Sequence, residues 1–135
     1  MTTAIDTNVL LDIFLADPTF GQKSKSALRE SLQIGSVMAC EVVWAEVCGA
    51  FPNGLDASAA LDRLGIAYSP MRRKSCERAG QAWKAYRAAG GARQRVIADF
   101  LIGAHAEIDA DRLLTRDSGY FRTYFPSLVL LDPSV

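Results

Sequence analysis

Short apolar runs separated by longer amphipathic stretches set the rhythm of this chain. Residues 3–5 form a brief apolar piece, followed at once by Asp6-Thr7-Asn8. Those polar residues suit the cap of a helix carrying Val9, Leu10, Ile13 and Phe14. A second helix is predicted over about residues 20–32, and Ser36–Ala39 reads as a short buried strand. Glu41–Ala50 reads as a helix stopped by Pro52-Asn53-Gly54. A short helix over 56–64 and a strand at Ile66–Tyr68 follow. Residues 75–89 form a long basic helix ended by Gly90-Gly91, and 97–108 an Ala-, Leu- and Ile-rich helix expected to be mostly buried. Residues 112–115 read as a strand ending in Arg116-Asp117, and 128–131 as a final strand before Pro133. Strands this short and apolar, alternating with helices, imply an α/β fold: a parallel sheet of four to five short strands flanked by helices. With no repeat, low-complexity tract or linker, residues 1–135 read as a single domain.

Composition adds bounds rather than function. Half of the 135 residues are hydrophobic and the mean hydropathy is +0.08, which excludes disorder and leaves enough apolar surface for a core without staples. Basic and acidic residues balance at 15 each, but not evenly along the chain. Between Arg72 and Arg95 stand eight basic residues against the single acid Glu77, a net +7 that leaves −7 for the rest. Cys40, Cys48 and Cys76 are odd in number and lack metal-ligand or redox spacing, so reduced thiols in a cytoplasmic protein are expected. Cys40 and Cys48 read as small core fillers. The N-terminus lacks a basic region followed by a long apolar run, so no signal peptide is expected. The apolar stretch 9–15 is broken by Asp12 and far too short to span a bilayer.

The candidate chemistry lies in four acids. In an open parallel sheet, ligands bind outside the carboxyl ends of the strands. Asp6 follows the first strand directly and Asp117 follows the strand at 112–115, so both carboxylates are expected at one sheet edge. Either alone could be a helix cap, since Asp is a preferred N-cap; their shared position favours a site. Asp99 stands at the start of a helix that otherwise reads as buried, where an ionised carboxylate needs a partner, a capping role or a cation. Glu46 lies mid-helix among apolar neighbours, and the residues alone leave open whether it reaches solvent or a site. Clustered carboxylates repel one another unless a cation is present. With oxygen donors and no His or Cys cluster, Mg²⁺ or Mn²⁺ fits better than zinc. Such an ion activates water and stabilises a departing phosphodiester oxygen. His105 lies six residues after Asp99, on a different helix face, and reads as a satisfied core or surface residue rather than a base.

The motifs resemble a known family. Ala4-Ile5-Asp6-Thr7-Asn8-Val9-Leu10 is similar to the first motif of PIN-domain nucleases, and residues 98–106, Ala-Asp-Phe-Leu-Ile-Gly-Ala-His-Ala, to their third acidic motif. Residues 113–121, Leu-Leu-Thr-Arg-Asp-Ser-Gly-Tyr-Phe, continuing to Tyr124-Phe125-Pro126, resemble the fourth. In this order, over about residues 3–133, they resemble the VapC toxins of bacterial toxin–antitoxin pairs. The resemblance implies that Asp6, Asp99 and Asp117 are metal-site aspartates, and that Glu46 in Trp44-Ala45-Glu46-Val47 is the acid of the second motif. It implies that Asn8 and Thr115 orient the carboxylates or a water. It further implies an Mg²⁺- or Mn²⁺-dependent endoribonuclease acting on RNA such as tRNA or rRNA. A cognate antitoxin would neutralise it, and a homodimer is expected. Residues 53–95 match only loosely, and target choice is assigned to them.

For RNA, the basic stretch supplies phosphate-neutralising candidates in Arg87, Arg93 and Arg95, with Gly90-Gly91 beside them. Trp83 and Tyr86 interleave with these and are able to stack on bases, although an inward-facing Trp83 is the expected reading. Leu10, Phe14, Leu28, Val43 and Val47 are more apolar residues than these short helices need for one core; simple burial is the expected fate of any single one, and together they fit either an antitoxin helix or a dimer partner. A phosphoacceptor signalling domain would require adjacent acids after the first strand and an Asp ending the third. This chain has Asp6 alone and Ser69-Pro70. A non-catalytic RNA-binding module accounts for the basic helix but not for the acids. The acids rank with Asp6 and Asp99 as direct ligands, and with Asp117 and Glu46 acting through water or a second ion.

Overall fold

A computed structural model describes residues 1–91 and 95–135. The chain runs β1 (Thr2–Ile5), α1 (Thr7–Phe14), α2 (Gly21–Ile34), β2 (Ser36–Ala39), α3 (Glu41–Ala50), α4 (Gly54–Leu64) and β3 (Ile66–Tyr68). It continues through α5 (Arg73–Ala88), α6 (Ile97–Asp109), β4 (Arg112–Leu114), α7 (Ser118–Tyr124) and β5 (Leu130–Leu131). The five strands form one sheet in the order β3-β2-β1-β4-β5, parallel at every pairing. The α/β expectation of four to five short parallel strands therefore holds, as do the sequence-derived bounds of β2, α3 and β3.

The order of the strands decides where a ligand can bind. From β1 the chain winds outward to β2 and β3, then returns across the sheet to place β4 on the far side of β1. The winding direction reverses between β1 and β4, where the connections leave to opposite sides and open a crevice at the strands' carboxyl ends. β1 and β4 are in register there, Ile5 opposite Leu114, and the Asp6 N–H donates to the Leu114 carbonyl at 2.9 Å.

Two departures from the sequence expectation have local causes. Asn53-Gly54 does not merely stop α3: the Asn53 side chain accepts from the Leu55 N–H at 2.8 Å and opens α4 two residues earlier than expected. Helix α7 goes beyond the sequence expectation, which offers Asp117 only as a possible cap, because seven residues beginning Ser-Gly give too little periodicity to register.

The core joins β1, β2 and β4 to the helices through Ile5, Val37, Leu113 and Leu114, all at most 1% exposed. Phe100 of α6 is the hub of the second wall. Its ring lies 5.3 Å from Trp83, 5.3 Å from Tyr120, 5.4 Å from Tyr86 and 5.8 Å from Tyr124, largely in edge-on contacts. These aromatics lock α5, α6 and α7 together, with Trp83 turned inward as expected. Cys40 is buried and fills core space, whereas Cys48 is only half-buried and Cys76 is exposed.

Gly103 lets α6 pack close to the C-terminal segment, because a Cβ there would lie 2.4 Å from the buried Phe125 ring. Gly103→Ala is expected to lower stability by about 1–3 kcal/mol through overpacking. Gly80→Ala on the open face of α5, where a Cβ meets nothing within 4 Å, should raise it by about 0.5–1 kcal/mol. Urea unfolding midpoints that move together for both variants would contradict this packing account.

Candidate metal site at the switch point

The crevice is built around Asp6. It follows β1, N-caps α1, and is only 7% exposed. Asp6 Oδ1 accepts from the Thr7 N–H at 2.7 Å. Its other oxygen takes the Thr115 hydroxyl at 2.8 Å and the Asn8 amide at 3.4 Å. Thr115 is fully buried and its oxygen also accepts the Asp117 N–H at 2.9 Å, so one hydroxyl ties the carboxyl ends of β1 and β4 together. Asn8 Oδ1 accepts from the Arg116 N–H at 3.3 Å, bracing the same junction. The two residues expected to orient the acids are thus bonded to Asp6 directly.

Glu46 reaches the same region from α3. It is exposed, and its Oε1 accepts the Thr7 hydroxyl at 2.7 Å. Thr7 therefore links the acids of the first and second motifs, a role that sequence reasoning missed. Its position directly after Asp6 was the available signal. Asp99 lies in the first turn of α6, where its Oδ2 accepts the Val96 N–H at 3.1 Å. Its surroundings differ from the expectation: Val96 and Ile97 are 56% and 44% exposed, so the helix enters the core only from Phe100 onward.

Asp117 is held otherwise. Both its oxygens accept from the Arg95 guanidinium, the Nη2 bond being 2.9 Å, and Arg95 lies 4.2 Å over the Tyr120 ring. Arg95 was expected to hold RNA, yet it is committed to an acid. Arg72 and Arg78 are likewise paired, with Asp109 and Glu107, so the basic stretch is partly neutralised within the fold. Arg87 is exposed on α5, its guanidinium 5.9 Å from the Trp83 ring, and Arg93 lies outside the described residues. Arg116 turns away from the crevice to clasp Asp12 at 2.6 and 2.9 Å. That burial of Asp12, 5% exposed and also bonded by Ser24, was not foreseen. His105 is a core residue, its Nε2 3.1 Å from the Ser69 hydroxyl, and burial lowers its pKa.

Burial pushes the Asp6 carboxyl up to about 6; the Thr115 and Thr7 hydrogen bonds oppose this, and the charges of Asp117 and Glu46 add to it. Four acids from four elements thus face one region, and the atoms they offer to a cation are all carboxylate oxygens. That donor set fits a hard divalent cation. Among the described residues, no trio of acidic, His or Cys side chains stands at the spacing of a bound ion.

A family model for the PIN domain matches residues 3–126, nearly the whole chain. The chain belongs to the PIN domain family. Its fold is similar to that of a chain in VapBC-1 from nontypeable Haemophilus influenzae, at 16% identity, 100% coverage of both chains and a TM-score of 0.75. It also resembles VapBC2 from Rickettsia felis bound to a promoter DNA fragment, at 17% identity, 98% coverage of both and a TM-score of 0.72. FitAcB from Neisseria gonorrhoeae is a third, at 21% identity, 97% coverage of both and a TM-score of 0.67. At these identities the likeness is one of fold. A comparison with curated proteins finds no match. Among the described residues of this PIN domain, no helix is long and apolar enough to cross a membrane.

The raised Asp6 pKa carries a sign for stability. Between pH 3.8 and about 6 the folded chain holds a proton on Asp6 that the unfolded chain has released, so this group's contribution falls as pH rises through that window. In EDTA, the melting temperature of the wild type should drop across that range relative to Asp6→Asn. Parallel curves for the two proteins would contradict the buried, proton-retaining carboxyl.

Proposed function

We propose that this PIN domain is a VapC-type toxin, an Mg²⁺- or Mn²⁺-dependent endoribonuclease acting in the cytoplasm on structured RNA such as tRNA or rRNA. The observation that carries the reading is the buried Asp6 carboxylate at the switch point, faced by Glu46 and Asp117 and braced by Thr115. Membership of the PIN family supports nuclease chemistry. Fold-level likeness to toxin–antitoxin assemblies supports a cognate antitoxin as partner, and a homodimer is part of the same reading.

Asp6 and Asp99 are the residues that would hold the ion, with Asp117 and Glu46 contributing through water or a second ion. When bound, such an ion supplies Lewis acidity toward a phosphodiester oxygen and toward the attacking water. The protein's own part is positioning. Thr115 and the Thr7 N–H fix both Asp6 oxygens, so the carboxylate meets its ligand without reorganising. The Val96 N–H fixes Asp99 at the start of α6, where the helix dipole favours a negative charge. Glu46, exposed and anchored by Thr7, would accept a proton from the attacking water. Arg87 and Arg93, on and just after α5, are assigned to the RNA backbone, where they neutralise phosphates without reading sequence.

Cleavage of a structured RNA in Mg²⁺ or Mn²⁺, compared among wild type, Asp6→Asn and Asp99→Asn, tests this reading. Each substitution is expected to slow cleavage by about 100-fold or more, a few kcal/mol of barrier. Cleavage that survives both substitutions, or persists in EDTA, would overturn it.

A further inference from the structure

We propose that Arg95 is a built-in counter-cation that holds Asp117 in competition with a divalent ion and has to release it before that acid can take part in the metal site. This inference rests on the metal-nuclease reading above and concerns the regulation of that same site. Arg95 lies just before α6, and its fork engages both Asp117 oxygens at once. That planar, two-point pairing leaves little of the carboxylate free for another cation. The guanidinium is seated on the Tyr120 ring, 4.2 Å from its centroid, and lies within the field of Asp99 as well as Asp117. One arginine therefore pairs with the acid of the fourth motif and feels the charge of the third, a charge that a shared ion would otherwise balance.

Two features separate this pair from an ordinary structural one. The Arg116–Asp12 pair has the same bidentate chemistry, but Asp12 is 5% exposed and bonded again by Ser24, away from the crevice. The Arg95–Asp117 side chains are 28% and 33% exposed, so water and ions reach them and the pair can open without disturbing the core. Beneath it, the Tyr120 hydroxyl is buried without a hydrogen-bond partner among the described residues, on a residue only 8% exposed. The charges of Asp99, Asp117 and Asp6 all act on that hydroxyl. Arg95 and the ion thus compete for one carboxylate, and the apparent affinity for the ion is reduced by the fraction of time the arginine holds it.

Titration of Mn²⁺ into the protein by calorimetry, for wild type, Arg95→Ala and Arg95→Lys, tests the competition directly. Arg95→Ala is expected to bind Mn²⁺ about fivefold tighter or more, while melting at a lower temperature than wild type in EDTA. Arg95→Lys keeps the charge but loses the fork, and should fall between the two. Equal Mn²⁺ affinities in all three proteins would overturn the inference and leave the metal reading standing. A wild-type affinity for Arg95→Lys beside a tighter Arg95→Ala would reduce the effect to distant charge, and would also overturn it. Absence of Mn²⁺ binding in every protein would overturn the metal reading itself.

Discussion

Asp6 places a carboxylate at the end of the central strand with 7% exposure, and burying such a group is costly unless each oxygen is satisfied. Much of the local structure answers that demand. The start of α1 supplies an N–H, Thr115 a hydroxyl from the neighbouring strand end, and Asn8 an amide from the helix just begun. Even so the charge is disfavoured, because the position is poorly solvated and Asp117 and Glu46 add negative potential to it. A divalent cation would resolve this conflict in a way that no further hydrogen bond can.

The reversal of winding between β1 and β4 is what gives the carboxylate its neighbours. Had β4 been added outside β3, Thr115 and Asp117 would have stood far from Asp6. Instead β4 lies beside β1, and one buried hydroxyl serves both strand ends. The aromatic cluster around Phe100 fixes the opposite wall, joining α6, which carries Asp99, to α7, whose Tyr120 lies under Arg95. The rigid parts of the molecule therefore position Asp6 and Asp99. Asp117 and Arg95 stand in the more accessible part, where exchange of one cation for another needs no core rearrangement.

The sheet and three element bounds were legible in the sequence because β2, α3 and β3 are framed by residues that punctuate structure, among them Gly35, Pro52 and Gly65. The positions of all four acids were legible too: two follow apolar strands, and two sit in motifs with a family resemblance. Their surroundings were less so. Asp99 has apolar neighbours in sequence, but Val96 and Ile97 point outward, and sequence adjacency does not report which way a first helical turn faces. Asp12 interrupts an apolar run much as Asp99 does, yet it is buried against Arg116, 104 residues away. The basic stretch read as one patch, but Arg72, Arg78 and Arg95 have partners 37, 29 and 22 residues distant. Charge along a chain locates cations; only the fold decides which of them are already paired.

The central claim is that the switch-point carboxylates form one divalent-cation site. Anomalous diffraction from crystals grown with Mn²⁺ tests it most directly. The account predicts a peak in the crevice within about 2.1 Å of oxygens from both Asp6 and Asp99, the reach of a hard cation to its carboxylate ligands. A peak confined to other acids, such as Asp12 and Asp17, with none at Asp6, would contradict it.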